Sequence, residues 1–266
     1  MDPTAVALVL AAAVLHALWN VRLHGAEDRV AAMAMSGLIS GAVLLPFFLF
    51  DPPSGVWGLL VISGVAEAIY GLALAGAYRR GDLSVTYPVG RGSAPLMATL
   101  AATVVVGEPA SARTVVAASL VAVGLVLLAF RSHHSGMLAA TCRALVVGAT
   151  IATYSVVDAR AVGLGAAPLA YLAGSLGIEG VLMASTTGFD RTRLRASLAQ
   201  GVAIAFGSVG AYALVLYAFR LAPVGQVATL REVSVVLAVL MAREHPGLLG
   251  WMGIAAVVAG GALAAL

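Results

Sequence analysis

The sequence predicts an all-α membrane protein of ten transmembrane helices, arranged as two inverted five-helix repeats. Three observations predict it. The chain is 61% hydrophobic and only 10% charged, against roughly 25% charged in a soluble domain, and its mean hydropathy is +1.02. Apolar runs near the ~20 residues that a spanning helix needs recur ten times, each closed by a short polar break. The fourth and ninth runs each carry an arginine several residues inside, Arg91 and Arg231, at a spacing of 140.

The runs lie near 4–22, 30–50, 56–78, 83–106, 112–130, 138–158, 166–187, 197–219, 224–242 and 247–265. The first begins at Met1-Asp2-Pro3-Thr4, which lacks a positive n-region, so it reads as a retained helix. No break is long enough for a soluble domain, and any activity must sit among the helices. Runs three to five resemble runs eight to ten: Ala77-Tyr78-Arg79-Arg80 matches Ala218-Phe219-Arg220-Leu221, Arg91 matches Arg231, and Gly107-Glu108 matches Arg243-Glu244. The last spacing is shorter by about one helical turn, which predicts a ninth helix shorter than the fourth. The repeats are therefore residues 1–131 and 137–266. Five crossings separate the copies, so the second is upside down, and such repeats place a binding site near the midplane. Arginines concentrate in the odd-numbered connections, which puts those on the cytoplasmic side and both termini outside.

All fifteen basic residues are arginine, which excludes a lysine Schiff base and a P-loop lysine. The net charge of +3 is spread between apolar runs without a basic stripe, so no nucleic acid is expected as a partner. Cys142 is the only cysteine, ruling out an intrachain disulfide. His133-His134 has no carboxylate or thiol beside it; no metal and no cofactor are expected. The thirty glycines fit close helix packing better than a nucleotide loop.

Transport would need polar groups that share helix faces deep in the bilayer. His16, Trp19 and Asn20 stand at i, i+3 and i+4 on the first helix. Trp19 has two readings, interface anchor or substrate contact; His16 is deeper and titrates close enough to neutrality for proton coupling. On the third helix Ser63, Glu67 and Tyr70 form a stripe, Glu67 being either a functional carboxylate or half of a register-fixing ion pair. Ser84, Tyr87 and Arg91 share a face of the fourth helix, which Pro88 and Pro95 loosen. Arg91 suits a bidentate carboxylate or phosphonate, or else it neutralises Glu67 or Glu179.

In the second half Tyr154 and Asp158 share a face, with Asp158 read as an exposed helix end beside Arg160. Tyr171, Ser175 and Glu179 form a stripe on the seventh helix. Tyr212 and Tyr217 point about 140° apart, so they do not face one cavity together. Arg231 and Glu232 diverge by about 100°; Arg231 is the expected inward residue and Glu232 the one that pairs elsewhere. A lining of both signs suits zwitterions and small anions. The expected binding set is His16, Trp19, Asn20, Glu67, Tyr70, Tyr87, Arg91, Tyr154, Glu179, Tyr212, Arg231 and Glu232.

The start His16-Ala17-Leu18-Trp19-Asn20, the run Arg80-Gly81-Asp82-Leu83-Ser84 leading to Tyr87-Pro88 and Arg91, and the Gly107-Glu108 turn together resemble the EamA-type drug/metabolite transporters over essentially the whole chain. The resemblance implies a ten-helix, multi-pass secondary transporter of the bacterial inner membrane. It would move small metabolites outward, often amino acids or related compounds, without ATP hydrolysis. A small-molecule substrate, the lipid bilayer and a coupling proton are its implied partners. Tyr154-Ser155-Val156-Val157-Asp158 resembles more narrowly a branch found beside phosphonate-utilisation genes; we infer no phosphonate substrate from it. Arg243-Glu244 departs from the glycine-glutamate of the first half, so symmetry there is partial. The alternative is an intramembrane enzyme or carrier acting on a lipid-linked or amphipathic substrate. Against the enzyme, the helices carry no paired-aspartate motif, no His-Glu-x-x-His and no Gly-x-Ser-x-Gly.

Overall fold

Short polar residues at the breaks start the helices. Asp2 accepts from the amides of Thr4 at 2.7 Å and Ala5 at 3.3 Å, ahead of Pro3 in the first turn, and α1 (Pro3–His24) follows. Asp28 caps α2 (Arg29–Phe50) by accepting from Ala31 N–H. Next come α3 (Trp57–Arg80), α4 (Leu83–Val105), α5 (Ala112–Ala129), α6 (Met137–Gly163) and α7 (Pro168–Thr186), the last with proline in its first turn. The computed structural model describes residues 1–80, 83–129, 137–241 and 247–266, with side chains except at 77–80, 83–87, 129 and 137–140.

Three helices differ from the expectation. Run six extends to Gly163 because Ala159, Ala161 and Val162 after Asp158 are themselves buried, which moves Asp158 from a helix end to a helix interior. The polar stretch 190–195 is not a loop: Asp190 accepts from Thr192 and Arg193 amides and starts α8 (Arg191–Ala196), followed by α9 (Leu198–Ala218). Run nine is two helices, α10 (Val224–Arg231) and α11 (Val233–Met241), before α12 (Gly247–Ala265) closes the chain. At the other end of the sequence the Met1 ammonium donates to Ala265 O at 2.8 Å, so the termini meet.

Among the described residues helix is the sole regular structure, and eight helical stretches are long and apolar enough to cross a membrane: α1, α2, α3, α6, α7, α9, α10 with α11, and α12. That is the make-up of a multi-pass membrane protein. Lipid gives helices no hydrophobic reason to associate, so close packing has to do it, and small residues permit it. A Cβ on Gly37 of α2 would lie 2.6 Å from Gly180 Cα of α7, and one on Gly124 of α5 would lie 2.6 Å from Gly253 O of α12. Further pairings join α1 to α9, α3 to α6 and α7, α2 to α9, and α4 to α5, α6 and α10.

Apolar side chains collect in three clusters among the described residues. One gathers Val9, Leu44, Leu60, Leu172 and Val215, a second Leu23, Met33, Leu74, Met183 and Ile204, and a third Val121, Leu125, Val235 and Val257. Tyr212 packs against the first two.

Candidate functional site

The site starts from a fault in a helix. Where α10 gives way to α11, Glu232 N–H donates to Thr229 O at 3.2 Å and Val235 N–H to Glu232 O at 3.0 Å. These are i to i+3 bonds, the tighter 3₁₀ turn that marks a mid-helix break. Arg231 is the last residue of α10 and Glu232 sits in the break, so the two side chains leave in different directions.

Glu232 is fully buried and faces α4. Its Oε2 accepts from Arg91 Nε at 2.8 Å, Arg91 Nη2 donates to Ser234 Oγ at 3.2 Å, and Nη1 lies 3.1 Å from His16 Nε2. Glycine neighbours let Arg91 reach this place. A Cβ on Gly90 would meet Val147 at 2.8 Å and one on Gly92 would meet Leu125 at 3.2 Å, so α4 lies tight against α6 and α5 while Arg91 points away from both. The helix continues through Pro88 and Pro95. Thr99 Oγ1 donates to Pro95 O at 2.7 Å and Ser93 Oγ to Gly90 O at 3.0 Å, so hydroxyls bond backbone carbonyls around the prolines.

Arg231 turns the other way, into a cavity of about 70 Å³ lined by α1, α2, α3, α6, α7, α9 and α10. That is room for a few water molecules or a small polar group. Among the described residues its Nε and Nη2 have no hydrogen-bond partner. Its Cζ lies 5.9 Å from the centroid of the Tyr154 ring, a cation–π contact. Tyr154 stands edge-on to Tyr70 at 6.3 Å and to Tyr212 at 5.6 Å between centroids. Opposite in sign to Arg231, Glu67 and Glu179 line the same cavity, and Glu67 Oε2 has no partner among the described residues. His16 and Trp19 complete the wall, their rings edge-on at 4.7 Å.

Of the expected binding residues, His16, Trp19, Glu67, Tyr70, Tyr154, Glu179, Tyr212 and Arg231 line the cavity. Asn20 does not: its Nδ2 donates back to His16 O at 2.9 Å, one turn earlier. Arg91 and Glu232 stand behind the wall, paired with each other; α4 packs mainly on α5 and α6 and only slightly on α3, which takes Arg91 to Glu232 rather than to Glu67. The side chain of Tyr87 lies outside the described residues. Trp19 is 7% exposed and is no interface anchor.

Asp158 is 0% exposed, which overturns its reading as a surface residue. It accepts from Tyr171 OH at 2.9 Å and from Tyr212 OH. Tyr212 thus reaches from the cavity wall to a buried carboxylate, while Tyr217 is 39% exposed. Ser36 of α2 and Ser208 of α9 also line the cavity and were absent from the expected set. Ser36 with Ser40, and Ser208 with Tyr212, at i and i+4, were the signal that could have found them.

Outside the membrane segments, Glu108 in the turn after α4 accepts from Val224 N–H at 2.8 Å and so caps α10, the helix that ends in Arg231. Burial pushes its carboxyl above the usual carboxylate range, against the pull of the Val224 amide.

No protein-family model and no curated protein sequence matches the chain. Among solved structures, one described only as the crystal structure of a protein superposes with a TM-score of 0.77 at 18% identity, over 99% of this chain and 97% of that one. At that identity the likeness is one of fold, and it extends from end to end of both chains.

Proposed function

We infer that this chain is a secondary active transporter moving a small polar metabolite, an amino acid or a small organic anion or zwitterion, outward across the bacterial inner membrane. The observation that carries the reading is the cavity among apolar helices into which Arg231 brings donors, and Glu67 an acceptor, that have no partner among the described residues. A charge at that depth costs about 3 kcal/mol or more unless water or a ligand meets it. A scaffold has no use for such groups; a site that accepts and releases a charged solute does. The resemblance to EamA-type transporters agrees with it.

The reading extends to ten spans in two inverted repeats, 1–131 and 137–266, that rock about the cavity in alternating access. Its support is that helix pairings come in exchanged couples. Replacing each run by its counterpart five runs away turns α1 against α9 into α6 against α3, and α3 against α7 into α9 against α2. The crossings of α2 with α7 and α5 with α12 map onto themselves, and both close on glycines. Glu67 and Glu179 are the groups able to carry a coupling proton.

The test compares metabolites in cells and medium of strains lacking and overproducing the protein, then measures flux of the responding compound in proteoliposomes. Flux that requires Arg231 supports the reading. Overproduction that redistributes no small polar metabolite, with folded protein in the membrane, refutes it.

A further inference from the structure

Among the described residues His16 has one hydrogen-bond partner for its ring, Nη1 of Arg91 at 3.1 Å from Nε2. A guanidinium nitrogen only donates and keeps its protons in proteins. Nε2 must therefore offer its lone pair, and the single proton of the neutral ring has to sit on Nδ1. An imidazolium would instead set N–H against N–H, two cations at hydrogen-bond distance inside the bundle, where repulsion is poorly screened. Arg91 cannot turn aside to accommodate it, because Glu232 and Ser234 hold its other two nitrogens.

We propose that Arg91 is a positioning residue that locks His16 as the neutral Nδ1–H tautomer, so that His16 joins Arg231 in offering the cavity donors for an oxyanion, a carboxylate or phosphoryl oxygen, of the bound molecule. The bound molecule rests on the transporter reading; the tautomer does not. The remaining charged and titratable groups around His16 are Arg231, Glu67, Glu179, Tyr70, Tyr154 and Tyr212 of the cavity, together with Glu232, whose Oε2 Arg91 already occupies. The lock assigns the two ends of the cavity. Donors, Arg231 and His16, meet the anionic end of a solute, whereas the cationic end and any coupling proton fall to Glu67 and Glu179. His16 then carries no proton through the cycle, contrary to what its depth and chemistry alone would allow.

The experiment is nitrogen NMR of ¹⁵N-histidine-labelled protein in lipid nanodiscs, with the His16 signals assigned by their loss in His16→Asn. The expected spectrum shows a protonated Nδ1 and a bare Nε2, unchanged over about pH 5 to 8, where a free histidine titrates. In Arg91→Met/Glu232→Met, which removes both charges together, titration in that range returns. An Nε2–H tautomer or an imidazolium at neutral pH in the unaltered protein overturns the proposal.

Acetate, as a minimal oxyanion, is expected to shift the Nδ1–H resonance, and less so in Arg231→Gln; an unmoved resonance overturns the donor role. For flux, asparagine sets an amide nitrogen near the place of Nδ1 and glutamine one near Nε2. His16→Gln should lose about 10- to 100-fold more flux than His16→Asn, the worth of a hydrogen bond to a charged group. Equal losses overturn it. A correct tautomer in a protein without flux would refute the transporter reading and leave the lock standing.

Discussion

Arg91 and Arg231 are the same residue type on equivalent runs of the two halves, both almost wholly buried at 0% and 2% exposure, yet they are treated in opposite ways. Arg91 is bonded to a carboxylate, a hydroxyl and an imidazole. Arg231 has two nitrogens without a partner among the described residues and an aromatic face beneath it. What separates them is the break at Glu232, which has no counterpart in the helix that carries Arg91 and which supplies Arg91 with its partner. A buried charge bonded at each of its nitrogens, as Arg91 is, serves the architecture, even though Oε1 of its partner Glu232 has no hydrogen-bond partner among the described residues. One that is left open, in a fold able to neutralise it, costs stability and is retained for something that comes and goes.

The largest effect should come from breaking the closed arginine. Arg91→Met strands the Glu232 carboxylate, and loss of one partner of a buried pair costs about 3–5 kcal/mol; unfolding in detergent micelles should show it. Arg91→Met/Glu232→Met should recover most of that loss, since replacing both partners by apolar groups is near neutral or stabilising. A harmless single substitution would remove the ground for calling the pair architectural. Arg231→Met should do the reverse: stability equal to or above that of the unaltered protein, and flux down by tenfold or more, about 1.4 kcal/mol of lost interaction. If it destabilises as Arg91→Met does, the two arginines are alike and the comparison fails.

Much of this was legible in the sequence because it depends on helical geometry alone. That Arg231 and Glu232 diverge follows from the angle per residue, and the stripes of Glu67 with Tyr70 and His16 with Trp19 follow from i, i+3 spacing. What was not legible depends on which helix neighbours which. For Arg91 the sequence offers a bound carboxylate or phosphonate or, as the alternative, Glu67 or Glu179, and only the placement of α4 against α10 brings Glu232 to it. Asp158 was misread for a local reason: Arg160, two residues on, is exposed and resembles a boundary, but α6 continues through buried alanines. Asn20 shares a face with His16 but spends its amide on the previous turn, a choice that helix spacing cannot show. The glycines announce close packing without saying which ones meet.

A smaller effect tests whether the carboxylate of Asp158 belongs with the closed or the open group. Two phenols donate to it, so it sits with Arg91 on the side of architecture. Tyr171→Phe should cost about 1.5–3 kcal/mol, as for a hydrogen bond to a charged group, with flux per folded molecule unchanged. Tyr212→Phe should cost a similar amount but also alter flux, because Tyr212 lines the cavity and Tyr171 does not. Identical flux in the two variants would detach Tyr212 from the site.

The smallest effect lies at the surface, where Arg193 of α8 donates through Nε to Asp28 Oδ2 at 2.8 Å, the solvent-exposed counterpart of Arg91 with Glu232. Burial alone would raise the Asp28 carboxyl, but the Ala31 amide and Arg193 outweigh it and hold the group below its ordinary 3.8. A carboxyl depressed in the folded state adds stability that is present above its unfolded value and is lost as pH falls through the folded one. Asp28→Asn keeps an N-cap, since asparagine caps as well as aspartate, and removes only the charge. The loss at neutral pH should be about 0.2–1 kcal/mol, diminish as salt is added, and vanish on acidification below the folded value. Arg91 with Glu232, out of reach of water and ions, should show no such response to salt. If both pairs weaken alike as salt rises, the interior around Arg91 is wet, and its bonds are no better sheltered than those at the surface.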